Sequence, residues 1–274
     1  MTDKYAVFGN PIEQSKSPEI HHAFAQQTQQ SISYEKVLGQ VGNFSASLDA
    51  FFADDNAKGC NVTVPFKQDA AKWVTQLSPL AKAAGAANTI IRLENGDFRG
   101  DTTDGQGLIV DLLDQDYKFS NSKILLIGAG GASRGVVLPL LQQGVAAVDI
   151  VNRTATKAHE IEHMFEDAKV TGFGFDELNE QRQEYDLIVN CTSASLSGDL
   201  PQLSENVLCK AKFVYDMVYQ ATQTVFIEKA QALGVAKTSD GLGMLVGQAA
   251  YSFYLWRNVM PKLAPVLTML RAKL

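Results

Sequence analysis

The sequence is poor in cysteine, with three among 274 residues. Cys60, Cys191 and Cys209 are odd in number and widely spaced, which fits neither a disulfide framework nor a zinc site. His21 and His22 are adjacent and would face different directions on a helix, so a paired metal site is not expected either. We therefore expect reduced thiols, no metal and a cytoplasmic protein.

Long apolar runs and excess positive charge are also missing. No run of about 18 apolar residues occurs, the minimum for a membrane helix. The first ten residues, MTDKYAVFGN, lack the basic segment and apolar core of a targeting signal. The formal net charge of -6 gives no general attraction to nucleic acid or to an anionic membrane. We expect a small, soluble ligand, no nucleic acid or membrane partner, and a monomer or homodimer.

Repeats, low-complexity tracts and long charged linkers are absent, and 46% of the residues are hydrophobic. A chain of this size forms two domains or one large α/β unit. Short β-rich runs alternate with helical patterns, which predicts parallel βαβ units. Asn95-Gly96 predicts a hairpin between "NTIIRLE" and "DFRGD". The predicted helices of the first half cover 18–30, 43–54, 66–76 and 104–116.

A second series of strands and helices begins with "KILLIGAGGASRG". Strand, glycine turn and helix in that order are the setting of a dinucleotide site. Gly128 permits a tight turn and Gly130 lets backbone N–H groups approach a pyrophosphate. Ser133 stands where the usual third glycine falls, so an ordinary tight turn is the alternative. Pro139 lies inside the predicted helix 132–143 and should bend it.

The end of the next strand, "VDIVNRTATK", bears on the choice of cofactor. Sites that prefer NAD usually carry an acidic residue here for the ribose hydroxyl. This chain has Asn152, Arg153, Thr154 and Lys157 instead, which favour the 2′-phosphate of NADP. A solvated arginine at a strand end is the alternative.

Three polar positions in the first hundred residues have both a functional and an ordinary interpretation. Ser15 and Ser17 precede a helix and could hold a carboxylate, or Ser17 could cap that helix. Lys67 falls in the first turn of a helix, where the dipole disfavours an ammonium group, but most lysines are simply solvated. Asp104 with Thr103 lies at another helix start, where a carboxylate is a common cap.

Taken together, these segments resemble the shikimate dehydrogenase family. The similarity runs in order from about residue 9 to about residue 257, so it covers almost the whole chain. The matching stretches are GNPIEQSKSPEIHH, GCNVTVPFK, GAANT, TTDGQG, GAGGASRG, NRT, NCTSASLSG, YDMVY and DGLGMLVGQAA.

The resemblance implies an α/β protein of two domains. Residues 1–103 and 238–274 would form an α/β substrate domain to which the C-terminal helices return. Residues 104–237 would form a Rossmann-type NADP-binding domain. The implied activity is the reversible, NADPH-dependent reduction of 3-dehydroshikimate to shikimate in aromatic amino-acid biosynthesis.

The resemblance also implies a role for individual residues. Lys67 and Asp104 would form the catalytic pair. The implied substrate-binding residues are Ser15, Ser17, Asn61, Thr63, Asn88, Tyr219 and Gln248. The implied cofactor-binding residues are Gly128, Ala129, Gly130, Gly131, Ala132, Asn152, Arg153, Thr154, Lys157, Thr192, Met217 and Gly241. Thr102 departs from the family pattern, which commonly has asparagine before the Thr-Asp pair.

Two other functions are compatible with the resemblance. One is a quinate/shikimate dehydrogenase that uses NAD or NADP. The other is a non-catalytic NADP-binding regulator, against which the presence of Lys67 and Asp104 argues, because a sensor needs no proton donor.

Overall fold

The computed structural model describes residues 2–181 and 183–274. The chain divides into two compact units. Unit 1 contains the residues up to Gly107 together with Leu245–Met269, and unit 2 contains Leu108–Met244 with Leu270–Leu274. The domain limits expected from the sequence, after 103 and after 237, fall four and seven residues before the unit limits at 107 and 244.

Unit 1 is built on a six-stranded mixed sheet of order β2-β1-β3-β5-β6-β4. Strands β1, β2 and β3 are parallel, whereas β5 runs antiparallel to both β3 and β6. The β5–β6 pair confirms the hairpin predicted from Asn95-Gly96. The strands are β1 (Asp3–Gly9), β2 (Ile32–Leu38), β3 (Ala57–Val62), β4 (Gln76–Leu77), β5 (Thr89–Arg92) and β6 (Phe98–Asp101).

Both faces of this sheet are covered by buried side chains, as the alternating residues of β1 show. Successive side chains of a strand point to opposite faces. Ala6 and Phe8 join one buried cluster, and Tyr5 and Val7 join another. The first helices of the chain are α1 (Ser17–Thr28), α2 (Phe44–Phe52), α3 (Lys67–Trp73) and α4 (Pro79–Ala84).

Unit 2 is built on a six-stranded, fully parallel sheet of order β12-β11-β10-β7-β8-β9. This is the doubly wound order of dinucleotide-binding folds, with the reversal between β7 and β10. Ligands of such sheets bind outside the carboxyl ends of the strands at that reversal. The strands are β7 (Lys123–Ile127), β8 (Ala147–Val151), β9 (Val170–Phe173), β10 (Leu187–Asn190), β11 (Phe213–Asp216) and β12 (Lys237–Ser239).

Helices α5 and α11 carry the chain between the two units. Gly107 and Leu108 separate the units inside α5, and Met244 and Leu245 separate them inside α11. The remaining helices are α5 (Asp104–Asp114), α6 (Gly131–Gln142), α7 (Ala155–Phe165), α8 (Phe175–Glu180), α9 (Glu205–Leu208), α10 (Val225–Ala232), α11 (Leu242–Arg257) and α12 (Leu263–Arg271), with a 3-10 turn at Ala194–Ser197.

The predicted elements differ from the observed ones mainly at their ends. The strand expected over 59–64 ends at Val62, and the helix expected over 66–76 ends at Trp73, because Val74 takes an extended conformation. Strands β4, β9 and β12 and helices α4, α8 and α9 were not predicted, and each has six residues or fewer. Pro139 lies inside α6, as expected, and its side chain is buried.

Candidate active site

Unit 1 brings one lysine and one aspartate into direct contact. Lys67 is the first residue of α3 and Asp104 is the first residue of α5. Nζ of Lys67 lies 2.5 Å from Oδ2 of Asp104, and 32% and 16% of the two side chains are exposed. Lys67 is therefore not freely solvated. A paired ammonium group that still reaches solvent can donate a proton to a bound molecule.

Asn88 fixes the other oxygen of that aspartate. Its Nδ2 donates to Oδ1 of Asp104 at 2.8 Å, and also contacts Thr103 Oγ1 and Gln248 Oε1. Its own Oδ1 accepts from the backbone N–H of Thr103 at 2.9 Å. Asn88 is only 3% exposed, so its amide has one orientation. Both carboxylate oxygens of Asp104 are thus occupied by side chains, in place of the helix-capping contact that the sequence left open.

Asn61 lies beneath this group rather than at its surface. Its Oδ1 accepts from Tyr34 Oη at 2.7 Å, and its Nδ2 contacts Asn88 O, Thr89 Oγ1 and Ser252 Oγ. Because Asn61 is 6% exposed and its donors and acceptor are engaged, it supports Asn88 from below. Thr63, two residues later, is half-buried.

The two serines of the N-terminal motif contact each other. Oγ of Ser15 lies 3.2 Å from Oγ of Ser17, and the backbone N–H of Ser17 donates to Ser15 Oγ. Helix α1 begins at Ser17 itself, and its N-cap residue is Lys16, which makes no side-chain capping bond. The expectation that Ser17 caps the helix is therefore wrong.

The histidines and cysteines do not form a metal centre in the described part of the chain. Among residues 2–181 and 183–274, no group of three His, Cys, Asp or Glu side chains could hold a metal ion. His21 is fully buried and stacks on Tyr34 with a ring-centroid distance of 4.3 Å. Burial lowers the pKa of His21 to about 3, so its ring is neutral. His22 is exposed, and the three cysteines are free.

In unit 2, the glycine loop follows β7 at the reversal point of the sheet. Gly128 has φ of +104°, and a Cβ there would lie 2.8 Å from Cγ2 of Thr192. A Cβ added at Gly130 or Gly131 would meet no neighbouring atom within 4 Å, so the loop leaves open space before α6. Free N–H groups at a helix start, with such space beside them, suit a pyrophosphate.

Ser133 explains how the loop departs from the usual third glycine. Its side chain is fully buried, and its Oγ donates to the carbonyl oxygen of Gly128 at 2.5 Å. The hydroxyl therefore closes the turn from inside. This position needs no glycine, because the serine side chain fits and makes a hydrogen bond.

A cavity of about 490 Å³ lies beside the glycine loop, at the carboxyl ends of the strands of unit 2. Gly128, Asn152, Arg153 and Thr192 line it, which brings four of the predicted cofactor residues together. Arg153 and Lys157 are exposed and form no ion pair with any described residue. The remaining lining residues are Ile127, Phe175, Ser193, Ala194, Asp199, Leu200, Pro201 and Gln202.

Met217 and Gly241 meet at the next strand end. Met217 follows β11, and its backbone N–H donates to Asn190 O at 3.0 Å. A Cβ on Gly241 would lie 2.0 Å from the carbonyl oxygen of Met217, so only glycine fits there. Tyr219, two residues after Met217, is half-buried.

Three family models match consecutive parts of the chain. The shikimate dehydrogenase substrate binding domain matches residues 7–90, shikimate / quinate 5-dehydrogenase matches 111–211, and the shikimate 5'-dehydrogenase C-terminal domain matches 241–270. The chain belongs to the shikimate dehydrogenase family.

Proteins similar to this chain match it over nearly all of its residues. A protein of Cellvibrio japonicus named shikimate dehydrogenase (NADP(+)) is 50% identical, with 100% of this chain and 99% of the relative covered. The crystal structure of an Ael1 enzyme from Pseudomonas putida is 38% identical, with a TM-score of 0.93 and 98% of each chain covered. A shikimate 5-dehydrogenase from Thermus thermophilus, solved in complex with NADP(H) and shikimate, is 28% identical, with a TM-score of 0.87 and 100% of each chain covered.

Sequence reasoning missed two sets of residues around the shikimate dehydrogenase sites. Tyr34 and Ser252 hold Asn61 but belong to no motif, since 191 residues separate Asn61 from Ser252. Phe175 and the segment 199–202 line the cavity of unit 2. The signal for the second set is its position in the chain after the carboxyl ends of β9 and β10, where ligands of such sheets bind.

Thr102, the departure from the shikimate dehydrogenase pattern, is buried next to the catalytic candidates. It is 4% exposed, and its backbone N–H donates to Oδ1 of Asp101 at 2.8 Å. Ser78 Oγ donates to the same oxygen at 2.6 Å. The backbone before Asp104 is thus held by Asp101 rather than by the side chain of Thr102.

Proposed function

We propose that this protein catalyses the reversible, NADPH-dependent reduction of 3-dehydroshikimate to shikimate in aromatic amino-acid biosynthesis. The observation that carries the proposal is the contact of Lys67 with Asp104, whose other oxygen is held by Asn88. Fifty per cent identity over the whole chain to a shikimate dehydrogenase (NADP(+)) supports it.

The residues of unit 2 fit NADP. When bound, NADPH supplies the hydride for the carbonyl carbon of the substrate. The open space at Gly130 and Gly131 suits the pyrophosphate at the start of α6. Arg153 is a cation without a carboxylate partner among the described residues, as recognition of a 2′-phosphate requires.

Lys67 is the proposed proton donor. The carbonyl oxygen gains negative charge as its carbon is reduced, and the ammonium group of Lys67 donates a proton to that oxygen. Asp104 holds the ammonium group in place at 2.5 Å, and Asn88 holds Asp104. In the reverse direction, the neutral amine of Lys67 takes the proton of the hydroxyl. General acid–base catalysis of this kind contributes about 10² to 10⁴ in rate.

The remaining polar residues of unit 1 are proposed to orient the substrate. Ser15 and Ser17, whose hydroxyls lie 3.2 Å apart, bind its carboxylate. Thr63 and Gln248 bind its hydroxyls, and Asn88 and Asn61 act from beneath, since the polar atoms of both amides are already engaged. The resemblance also assigns Tyr219, a half-buried residue of unit 2, to the substrate.

We also propose a cytoplasmic location and a monomeric or homodimeric state. No helix in the described residues is long and apolar enough to span a membrane, and the three cysteines are unpaired. Cell fractionation and light scattering of the purified protein test these two points. Recovery with secreted proteins, or a mass above that of two chains, would contradict them.

The experiment for the activity is near-ultraviolet absorbance of the purified protein with shikimate and NADP⁺. We expect rapid formation of reduced cofactor with this pair, and much slower formation when quinate replaces shikimate or NAD⁺ replaces NADP⁺. The match of 111–211 to a model shared by shikimate and quinate dehydrogenases makes quinate the relevant competitor. Equal turnover of quinate would favour that alternative, and no turnover with any pair would favour the regulator.

A further inference from the structure

Asp216, the last residue of β11, is a fully buried carboxylate in unit 2. Burial raises its pKa, while four hydrogen bonds to the carboxylate oppose this rise. Oδ1 accepts from Asn190 Nδ2 and from the backbone N–H of Val218, both at 3.1 Å. Oδ2 accepts from Ser195 Oγ at 2.6 Å and from Thr224 Oγ1 at 2.7 Å. The carboxylate accepts from all four groups and donates to none.

These bonds extend from Asp216 to the glycine loop. Asn190 donates to Asp216 through its amide nitrogen, and its amide oxygen accepts from the backbone N–H and the hydroxyl of Thr192, at 3.1 and 2.7 Å. Thr192 packs against Gly128, where a Cβ would lie 2.8 Å from its methyl group. The orientation of Thr192 is therefore fixed through Asn190 by Asp216.

A second set of bonds extends from Asp216 to the turn after β11. The N–H of Val218 is held by Oδ1, and the carbonyl oxygen of Val218 accepts from the N–H of Gly241 at 3.2 Å. Gln220 Nε2 donates to the carbonyl oxygen of Ser195 at 3.1 Å, which joins this turn to the segment after β10. Two loops that follow neighbouring strands thus share one buried anion.

From this geometry we infer that Asp216 is the positioning residue of the nicotinamide end of the cofactor site. The inference rests on the proposed function, because that assigns Thr192, Met217 and Gly241 to the cofactor. Asp216 itself is fully buried and does not line the cavity beside the glycine loop. It acts by holding the loop at 190–195, which lines the cavity through Thr192, Ser193 and Ala194, and the turn at 217–220 in one arrangement, so that both are in place before NADPH binds.

A second buried aspartate of the same sheet provides the matched control. Asp149 lies in the middle of β8, is 5% exposed and accepts from Tyr185 Oη at 2.8 Å. Removing either carboxylate leaves buried donors without a partner and lowers stability. Of these two aspartates, only Asp216 is hydrogen-bonded to the loops at the carboxyl ends of the strands. A purely structural role would make the two substitutions equivalent in their effect on ligands.

The test compares Asp216→Ala, Asp216→Asn and Asp149→Ala. For Asp216→Ala, we expect KM for NADP⁺ and the Kd for NADPH to rise at least tenfold, with KM for shikimate within threefold of the unchanged protein. Asp216→Asn should recover most of this loss, because its amide oxygen can replace Oδ1 and the hydroxyls of Ser195 and Thr224 can turn to accept from its nitrogen. Asp149→Ala should lower Tm without changing the Kd for NADPH.

Fluorescence titration with NADPH alone separates this inference from the proposed function, since it requires no turnover. If the unchanged protein binds NADPH but does not oxidise shikimate, the proposed activity fails, and the Kd of Asp216→Ala for NADPH still decides the inference. If Asp216→Ala lowers Tm and leaves the Kd for NADPH unchanged, the inference is wrong. Should Asp216→Ala fail to fold, Ser195→Ala removes one bond to Oδ2 and should raise the Kd two- to fivefold; an unchanged Kd would also overturn the inference.

Discussion

At the scale of single residues, the proposed chemistry depends on Lys67. Lys67→Ala removes the proton donor, and we expect kcat to fall by about 10² to 10⁴ because general acid–base help is lost. KM for shikimate should change less than tenfold, since the serines, Thr63 and Gln248 still bind the substrate. Steady-state kinetics in the direction of shikimate oxidation measures both values.

Lys72→Ala is the matched control for that substitution. Lys72 lies on the same helix, α3, is exposed and forms no ion pair with a described residue. Its kinetics should be unchanged. A kcat of Lys67→Ala equal to that of Lys72→Ala would remove Lys67 from the chemistry.

Arg153 is the residue proposed to recognise the 2′-phosphate of NADP. A charge-assisted hydrogen bond contributes about 1.5 to 3 kcal/mol, or roughly tenfold to a hundredfold in affinity. Arg153→Ala should therefore raise KM for NADP⁺ by that factor and leave KM for NAD⁺ nearly unchanged, because NAD⁺ has no 2′-phosphate. Parallel kinetics with the two cofactors measures the ratio.

Lys169→Ala provides the comparison for Arg153. Lys169 is an exposed cation that precedes the amino end of β9, whereas Arg153 follows the carboxyl end of the neighbouring strand β8. Lys169→Ala should leave KM for NADP⁺ and KM for NAD⁺ unchanged. If Arg153→Ala weakens NADP⁺ and NAD⁺ equally, Arg153 does not recognise the 2′-phosphate.

At the scale of elements, the junction of β7 and α6 depends on an internal hydrogen bond. Ser133 Oγ donates to Gly128 O, and the side chain is fully buried. Ser133→Ala should lower the free energy of unfolding by about 1 to 3 kcal/mol, because a buried acceptor loses its partner. Denaturant unfolding followed by circular dichroism measures the change.

An exposed serine tests whether burial causes that loss. Ser197 Oγ donates to Ala194 O at 3.0 Å, but its side chain is exposed, so water can replace it. Ser197→Ala should change the unfolding free energy by less than about 0.5 kcal/mol. Equal losses for the two serines would contradict the assignment of Ser133.

Some individual elements of the fold could be predicted from the sequence, and others could not. Asn95-Gly96 predicted a hairpin because the turn is local, and Arg153, which lines the cavity of unit 2, was predicted as a cofactor residue because it falls at a fixed distance from the glycines. β9 has only four residues, and Gly172 within it weakens a strand pattern. That glycine is needed because a Cβ would lie 2.5 Å from the backbone of Ala158 in α7. Strand β9 therefore requires a contact that its own sequence does not reveal.

At the scale of the whole molecule, the polar groups under the active site come from distant parts of the chain. Asn61 contacts Ser252, and Tyr34 contacts Asn61, across 191 and 27 residues. The sequence revealed Asn61 through its motif, but its burial depends on α11 returning to unit 1. Such contacts follow from the order of strands and the path of the last helices, which no local pattern encodes.

Acid sensitivity of unit 1 follows from the burial of His21. Its pKa is about 3 in the folded protein and about 6.5 in an unfolded chain. Below pH 6.5 the unfolded state binds a proton that the folded state does not, so stability falls as pH decreases, by about 1.4 kcal/mol per unit between pH 6 and pH 3. Above pH 6.5 this residue contributes no slope.

His21→Phe should remove that slope, since the residue stacks on Tyr34 and lies near Phe24, Phe253 and Trp256, where an aromatic ring fits. Urea unfolding between pH 7 and pH 5, followed by tryptophan fluorescence, reports on unit 1 because both tryptophans, Trp73 and Trp256, lie in it. His22→Phe, at an exposed position, should keep the slope. If His21→Phe keeps it as well, another group causes the acid sensitivity and His21 is not the neutral, buried base described above.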